Sequence, residues 1–199
     1  MQTIHGDYFY TTTYPSSGDG RKFNTRVKHL ILREGVIELA SGAFCCYASG
    51  SFKEFKDICI FKSIIFPTSL KKIGGSAFWE SFALKSFRLP NHIEEIGVRA
   101  FLDSGFNPDT LYIPEKITKF NTRAFNIPKV VILSENVEKI YNTYLTNGGA
   151  DIANHWSSNN IKIIVKATTP PEVICGSSIY ILNKATVYVP KSSITSYMN

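Results

Sequence analysis

KSIIFPTSLKKIGGSAF (62–78), KSFRLPNHIEEIGVRAF (85–101) and DTLYIPEKITKFNTRAF (109–125) are altered copies of one phrase. Self-similarity at a fixed period marks a solenoid, in which stacked units present surface instead of enclosing a pocket. Each copy opens with two apolar residues separated by one outward residue, the period-2 signature of a short strand with one buried face. Four further pairs lie outside the three copies, and the full series is Leu30/Leu32, Ile64/Phe66, Phe87/Leu89, Leu111/Ile113, Val131/Leu133, Ile163/Val165 and Val187/Val189. Successive second members lie 34, 23, 24, 20, 32 and 24 residues apart. A unit of about 23 residues is therefore interrupted twice, by insertions near 45–57 and 141–160.

The rest of the unit follows from simple chemistry. Pro67, Pro90, Pro114 and Pro190 end their strands, because proline has no N–H to give to a ladder. A second apolar pair follows three residues apart, at Leu70/Ile73, Ile93/Ile96, Ile117/Phe120 and Val137/Ile140, with Val36/Leu39 in the first unit. That spacing suits a turn or short extended segment on the opposite side. Ala-Phe closes the unit at 43/44, 77/78, 100/101 and 124/125. The small residue lets neighbouring coils approach, and the ring fills the space between them.

One coil cannot bury its apolar face alone, so the ends need covering. Residues 1–26 carry Tyr8, Phe9 and Tyr10 and a Pro-Ser-Ser-Gly-Asp-Gly turn at 15–20, and read as a strand-pair cap on the first coil. Ile194 and Tyr197 are candidates to close the last one. The expected organisation is an N-terminal cap (1–26) and a solenoid (27–199), together one domain.

Strand, proline, I-x-x-I-G (Ile93 to Gly97, with the variant Leu70 to Gly74) and A-F together resemble the BspA-type leucine-rich repeat. The tail, KATTPPEV (166–173) followed by ATVYVPKSSITSY (185–197), resembles the way many such bacterial proteins finish. The resemblance covers roughly residues 27–197. It implies a right-handed, mainly β solenoid of short parallel strands with few short helices. It also implies a place among surface proteins of gut and oral anaerobic bacteria and some mucosal protozoa. The chain departs from the pattern at Arg33 in place of proline, at Phe120-Asn121 in place of Ile-Gly, and in the fifth unit, which lacks Ala-Phe.

Of the 199 residues 44% are hydrophobic and 19% charged, which excludes a disordered chain and suffices for one core. No apolar run approaches the roughly 18 residues that span a bilayer. MQTIHGDYFY has neither a basic nor an apolar signal region, so export, implied by the resemblance, is not visible in this stretch. Cys45, Cys46, Cys59 and Cys175 form no metal-ligand spacing. They read as buried or free thiols, the alternative being a bridge from Cys45 or Cys46 to Cys59 in an oxidising compartment. Net charge is +6, without a Lys/Arg run longer than two or a nucleic-acid motif, so no nucleic-acid partner is expected.

Two columns on the strand face carry the functional expectation. Lys28, Lys62, Lys85, Asp109 and Lys129, each two residues before the first buried position, stack into a mostly basic edge. This is either a solvated rim or a site for acidic glycan or anionic protein. Beside it the outward strand centres are Ile31, Ile65, Arg88, Tyr112, Ile132, Ile164 and Tyr188. Such a strip either stabilises the sheet by cross-strand packing or marks an interface, where Tyr and Arg are frequent anchors. Ile65, Arg88, Tyr112, Ile132 and Tyr188 are the candidate binding residues, centred on Arg88 and Tyr112. The second insertion adds Tyr144 and Trp156 among Asn, Ser and Gly, suited either to sugar or peptide contact or to packing on the coil beside a helix near 142–146.

His5, His29, His92 and His155 are scattered, without H-E-x-x-H or G-x-S-x-G. Glu94-Glu95 reads as a solvated turn pair, and His29 as a surface residue and not half of a cysteine dyad. No catalytic, metal or cofactor site is expected. The expected function is a non-enzymatic binding or adhesion module of a bacterial surface protein that recognises protein or glycan. The alternative is a structural spacer or self-assembly unit with no external ligand.

Overall fold

Two short parallel strands per coil, joined by a tight turn, build the observed architecture. In the computed structural model residues 2–4, 10–11, 22–23, 28–45, 62–126, 128–142, 160–175 and 185–198 are described. Strands β1 (Gln2–Ile4), β2 (Tyr10–Thr11) and β3 (Lys22–Phe23) precede the repeats. Then come β4 (His29–Ile31), β5 (Val36–Leu39), β6 (Ser63–Ile65), β7 (Lys72–Ile73), β8 (Glu95–Ile96), β9 (Thr110–Tyr112), β10 (Lys119–Asn121), β11 (Val130–Leu133), β12 (Lys139–Asn142), β13 (Lys162–Val165), β14 (Glu172–Cys175) and β15 (Thr186–Tyr188). Helix α1 (Ile194–Met198) is the one α-helix among the described residues.

The front ladder is made from the first apolar pair of each coil, in parallel pairings β4–β6 and β9–β11–β13–β15. The second pair forms the opposite ladder, β1–β5–β7–β8 and β10–β12–β14, also parallel. That segment, legible only as a turn or extended piece, is thus a strand in the first six coils, while in the seventh a 3-10 turn (Lys191–Ser193) and α1 take its place. The prolines act as expected: the carbonyls of Pro67, Pro90 and Pro114 accept from the N–H of Leu70, Ile93 and Ile117 at 3.1–3.3 Å, closing the turn between ladders. Arg33 does the same toward Val36 at 3.4 Å, so the missing proline leaves the turn intact.

The Ala-Phe segment is a third seam. Phe44, Phe78 and Phe101 donate their N–H to the carbonyls of Ala77, Ala100 and Ala124, each at 2.7 Å. Their rings and that of Phe125 stack coil upon coil, with centroids 5.1 Å apart at each step and interplanar angles of 12°, 4° and 11°. All four rings are buried, with Leu39, Leu70, Ile73, Ile93, Ile117 and Leu133 around them. A Cβ on Gly97 would lie 2.4 Å from Gly75 N, and one on Gly74 the same distance from Ser41 N, so only glycine fits where the coils touch there. In the fourth coil Asn121 replaces that glycine, and the turn becomes 3-10 over Thr122–Ala124, with the Asn121 carboxamide oxygen accepting from Arg123 N–H at 2.9 Å.

Before the repeats, β2 and β3 pair antiparallel and β1 adds in parallel to β5. Tyr8, Phe9, the 15–20 turn, most of both insertions, Cys46 and Cys59 lie outside the described residues. The helix expected near 142–146 is corrected at its start, since Asn142 ends β12; the remainder is outside the described residues. At the far end Tyr197 is half-buried and donates its hydroxyl to Ala167 O at 2.8 Å, whereas Ile194 is exposed. Val187, expected in the core, is 44% exposed because no described coil stacks beyond β15.

Candidate functional site: the front face and its break

Strand register places the outward residues in one row. Ile31 lies opposite Ile65, Tyr112 opposite Ile132, Ile132 opposite Ile164, and Ile164 opposite Tyr188. The single bridge Ser63–Ser86 brings Arg88 beside Ile65. Ile31 (66%), Ile65 (58%), Tyr112 (67%) and Tyr188 (48%) are open to solvent, and Arg88 is exposed. Ile132 and Ile164 are half-buried, since in the middle of a four-stranded sheet each is flanked by neighbours on both sides. Tyr144 and Trp156 are outside the described residues.

The ladder is not continuous, and this corrects the expectation of a regular strand in every coil. Residues 85–89 carry the Phe87/Leu89 pair but form no strand, and are held to β6 only by the Ser63–Ser86 bridge. The cause lies in the segment that follows. Phe106 stacks on Phe87 with ring centroids 4.0 Å apart, while Phe87 also stacks on Phe101 at 4.6 Å. Asn126 ties the segment in place, accepting from Asp103 N–H at 2.7 Å and donating to Ser104 O at 2.8 Å and Phe106 O at 3.3 Å. The ring of Phe106 thereby occupies space beside Phe87, and the opposite ladder breaks at the same place, between β8 and β10. The third coil therefore meets the fourth along the phenylalanine seam, where Arg99 N–H donates to Arg123 O at 3.0 Å and Phe101 bridges to Phe125.

A groove of about 670 Å³ fills the break, floored by Phe87, Phe106 and Leu111 and walled by Arg88 on one side and Tyr112 and Ile132 on the other. Glu115, Glu135 and Lys166 stand at its end, where Ser134 is buried with its Oγ unpaired among the described residues. A second groove of about 360 Å³ lies on the other side of Arg88, against Ile65 and His92. Three of the candidate residues, Arg88, Tyr112 and Ile132, therefore converge on one concavity. Sequence reasoning missed the groove. Its one signal was the apolar Phe106, off the repeat pattern and two residues before Pro108.

The basic column is split. Lys129 pairs with Asp109 at 2.8 Å, a bond and charge that raise the lysine above its ordinary 10.5. Lys28, Lys62 and Lys85 are exposed, with no ion-pair partner among the described residues. His29 Nδ1 lies 2.8 Å from Ser63 Oγ, so its neighbour is a hydroxyl and not a cysteine. On the opposite ladder Lys72 lies between Glu95 (3.4 Å) and Glu38 (3.6 Å), and Lys139 meets Glu172 at 2.7 Å. Half-buried Cys45 lies at the edge of the first insertion.

Stacked coils of about 23 residues, a parallel strand in each, and a recurring Ala-Phe seam define a leucine-rich-repeat solenoid. The chain belongs to the family described as BspA type leucine rich repeat region, which it matches in six copies over residues 51–167. The first coil (28–45) lies ahead of that match yet stacks in the same ladders. No curated protein sequence matches the chain. Membership makes this a protein-interaction or structural module of a generally non-enzymatic family. Among the described residues no helix is long and apolar enough to cross a membrane.

Proposed function

We propose that this chain is the recognition module of a bacterial cell-surface protein, adhesive and without enzymatic activity, which docks a protein partner through the front face centred on Arg88 and Tyr112. The supporting observation is that Arg88 stands between two grooves, with exposed Ile65 on one side and exposed Tyr112 on the other. An arginine and a tyrosine flanking concave apolar floor are the residues most often found to dominate binding energy in protein interfaces. Residues 1–26 serve as the cap of the first coil. A glycan partner would instead engage Tyr144 and Trp156. In that case Trp156→Ala abolishes retention on a glycan array while the melting temperature stays nearly unchanged.

The deciding experiment is Arg88→Ala combined with Tyr112→Ala, read as affinity for proteins displayed by the partner surface. Truncating two such anchors is expected to weaken binding by about 2–4 kcal/mol, and unchanged affinity sinks the reading. Light scattering after size exclusion separates it from the alternative, a self-assembling structural unit. A monomer at all concentrations supports recognition; a concentration-dependent oligomer lost in the double variant supports assembly.

A further inference from the structure

The break in the front ladder leaves main-chain groups without partners. Asp109 O accepts from Val130 N–H and Ile113 N–H donates to Ile132 O, both at 2.9 Å, so these groups point toward β11. Alternation along a strand then aims the N–H and C=O of Thr110 and Tyr112 the other way, toward residues 85–89. No backbone hydrogen bond links them to that segment. An interior strand of a solenoid thus presents an open edge, which is a template for pairing with another extended chain. The groove beside this edge holds about 670 Å³, the space of about four extended residues at strand spacing.

We infer that this slot takes one extended segment of a partner protein, added as a strand to the edge of β9, with an acidic residue of the segment seated toward Lys62 and Lys85. Main-chain pairing with Thr110 and Tyr112 supplies affinity, and the flanking Arg88 and Tyr112 side chains supply specificity, as in other cases of strand addition. Charge sets the end at which the acid lies. Lys62 and Lys85 stand unpaired among the described residues where the strands begin, and Asp109 there is already neutralised by Lys129. Glu115 and Glu135 occupy the other end with a single lysine, Lys166, so that end keeps a net negative charge. This mode rests on the proposed docking face but goes beyond it, since a folded partner could use that face without entering the slot.

Random linear peptides displayed on phage, panned on the whole chain, are the probe, with hydrogen exchange resolved at single amides as the readout. In the dilute free chain the Thr110 and Tyr112 amides are expected to exchange about tenfold or more faster than those of β11. A retained peptide should slow them by about tenfold or more and carry Asp or Glu near one end. It should lose binding when alternate peptide amides are N-methylated, and weaken about tenfold on Lys85→Glu. Protection of Thr110 and Tyr112 in the dilute free chain overturns the inference, as does a panel that retains no peptide. Protection that grows with the chain's own concentration overturns it by assigning the slot to a second copy. Peptides that bind without slowing these amides, yet are lost in Arg88→Ala with Tyr112→Ala, overturn the strand addition while leaving the docking face standing. Peptides that slow them but ignore the double variant support the slot and count against the face.

Discussion

At Gly97 one added carbon meets the backbone of Gly75 at 2.4 and 2.7 Å, whereas at Gly75 itself the nearest atom is Val98 O at 3.3 Å. Gly97→Ala is therefore expected to destabilise by about 2–3 kcal/mol and Gly75→Ala by much less, compared by chemical denaturation midpoints. A left-handed backbone recurs at equivalent turn positions, free of strain at Gly42 but strained at Ser76 and Arg99, and again at Glu80 (58°) and Asp103 (54°). Glu80 carries a second burden, since burial, and then the charge of Asp103, raise its carboxyl above 4.5. An acid so raised lends stability below its unfolded value and loses it as pH rises. Glu80→Gly should thus raise stability near neutral pH by roughly 0.5–1 kcal/mol from relieved backbone strain, with a smaller gain near pH 4. Glu34 shows the opposite sign. The Thr68 N–H leads the bonds that lower its carboxyl, at 2.8 Å, joined by Ser69 N–H at 3.1 Å. Its stabilisation is present above the unfolded value and is lost as pH falls through the lowered one. Melting temperature followed between about pH 6 and pH 2 should fall less steeply in Glu34→Gln than in the parent chain.

Among elements, the phenylalanine seam ties the coils most regularly. Phe101 stacks on Phe78, Phe125 and Phe87, so Phe101→Ala should cost about 3–5 kcal/mol, measured by urea unfolding. This seam was legible because Ala-Phe repeats at fixed distance from the strand pair. The front strands were legible for the same reason, and the opposite ladder only as an extended piece, since two residues between core positions give no strand period to read. The break was not legible. Phe87 and Leu89 carry the same pattern as Ile64 and Phe66, and what separates them is a stack with Phe106, a residue outside the pattern whose partner is set by packing. Side-chain direction in the row from Ile31 to Tyr188 came directly from period-2 alternation. The meeting of Arg88, Tyr112 and Ile132 at one groove depended on the missing ladder and could not.

Across the whole molecule, coils that contact only their neighbours make stability a sum of local units and interfaces, and near-copies in series invite a particular error. A coil can dock on the wrong copy, leaving one looped out. The first three coils carry Glu38, Lys72 and Glu95 side by side, at 3.6 and 3.4 Å about the central lysine. Leaving out the second coil sets Glu38 against Glu95, and leaving out the third sets Lys72 against Lys119, so each omission exchanges attraction for like-charge contact. Exposed pairs of this kind add little to the stability of the finished fold. Their effect is on the order of assembly: the alternation of sign works as a parity check, rejecting a miscounted stack in the stretch where the sequence repeats itself most closely.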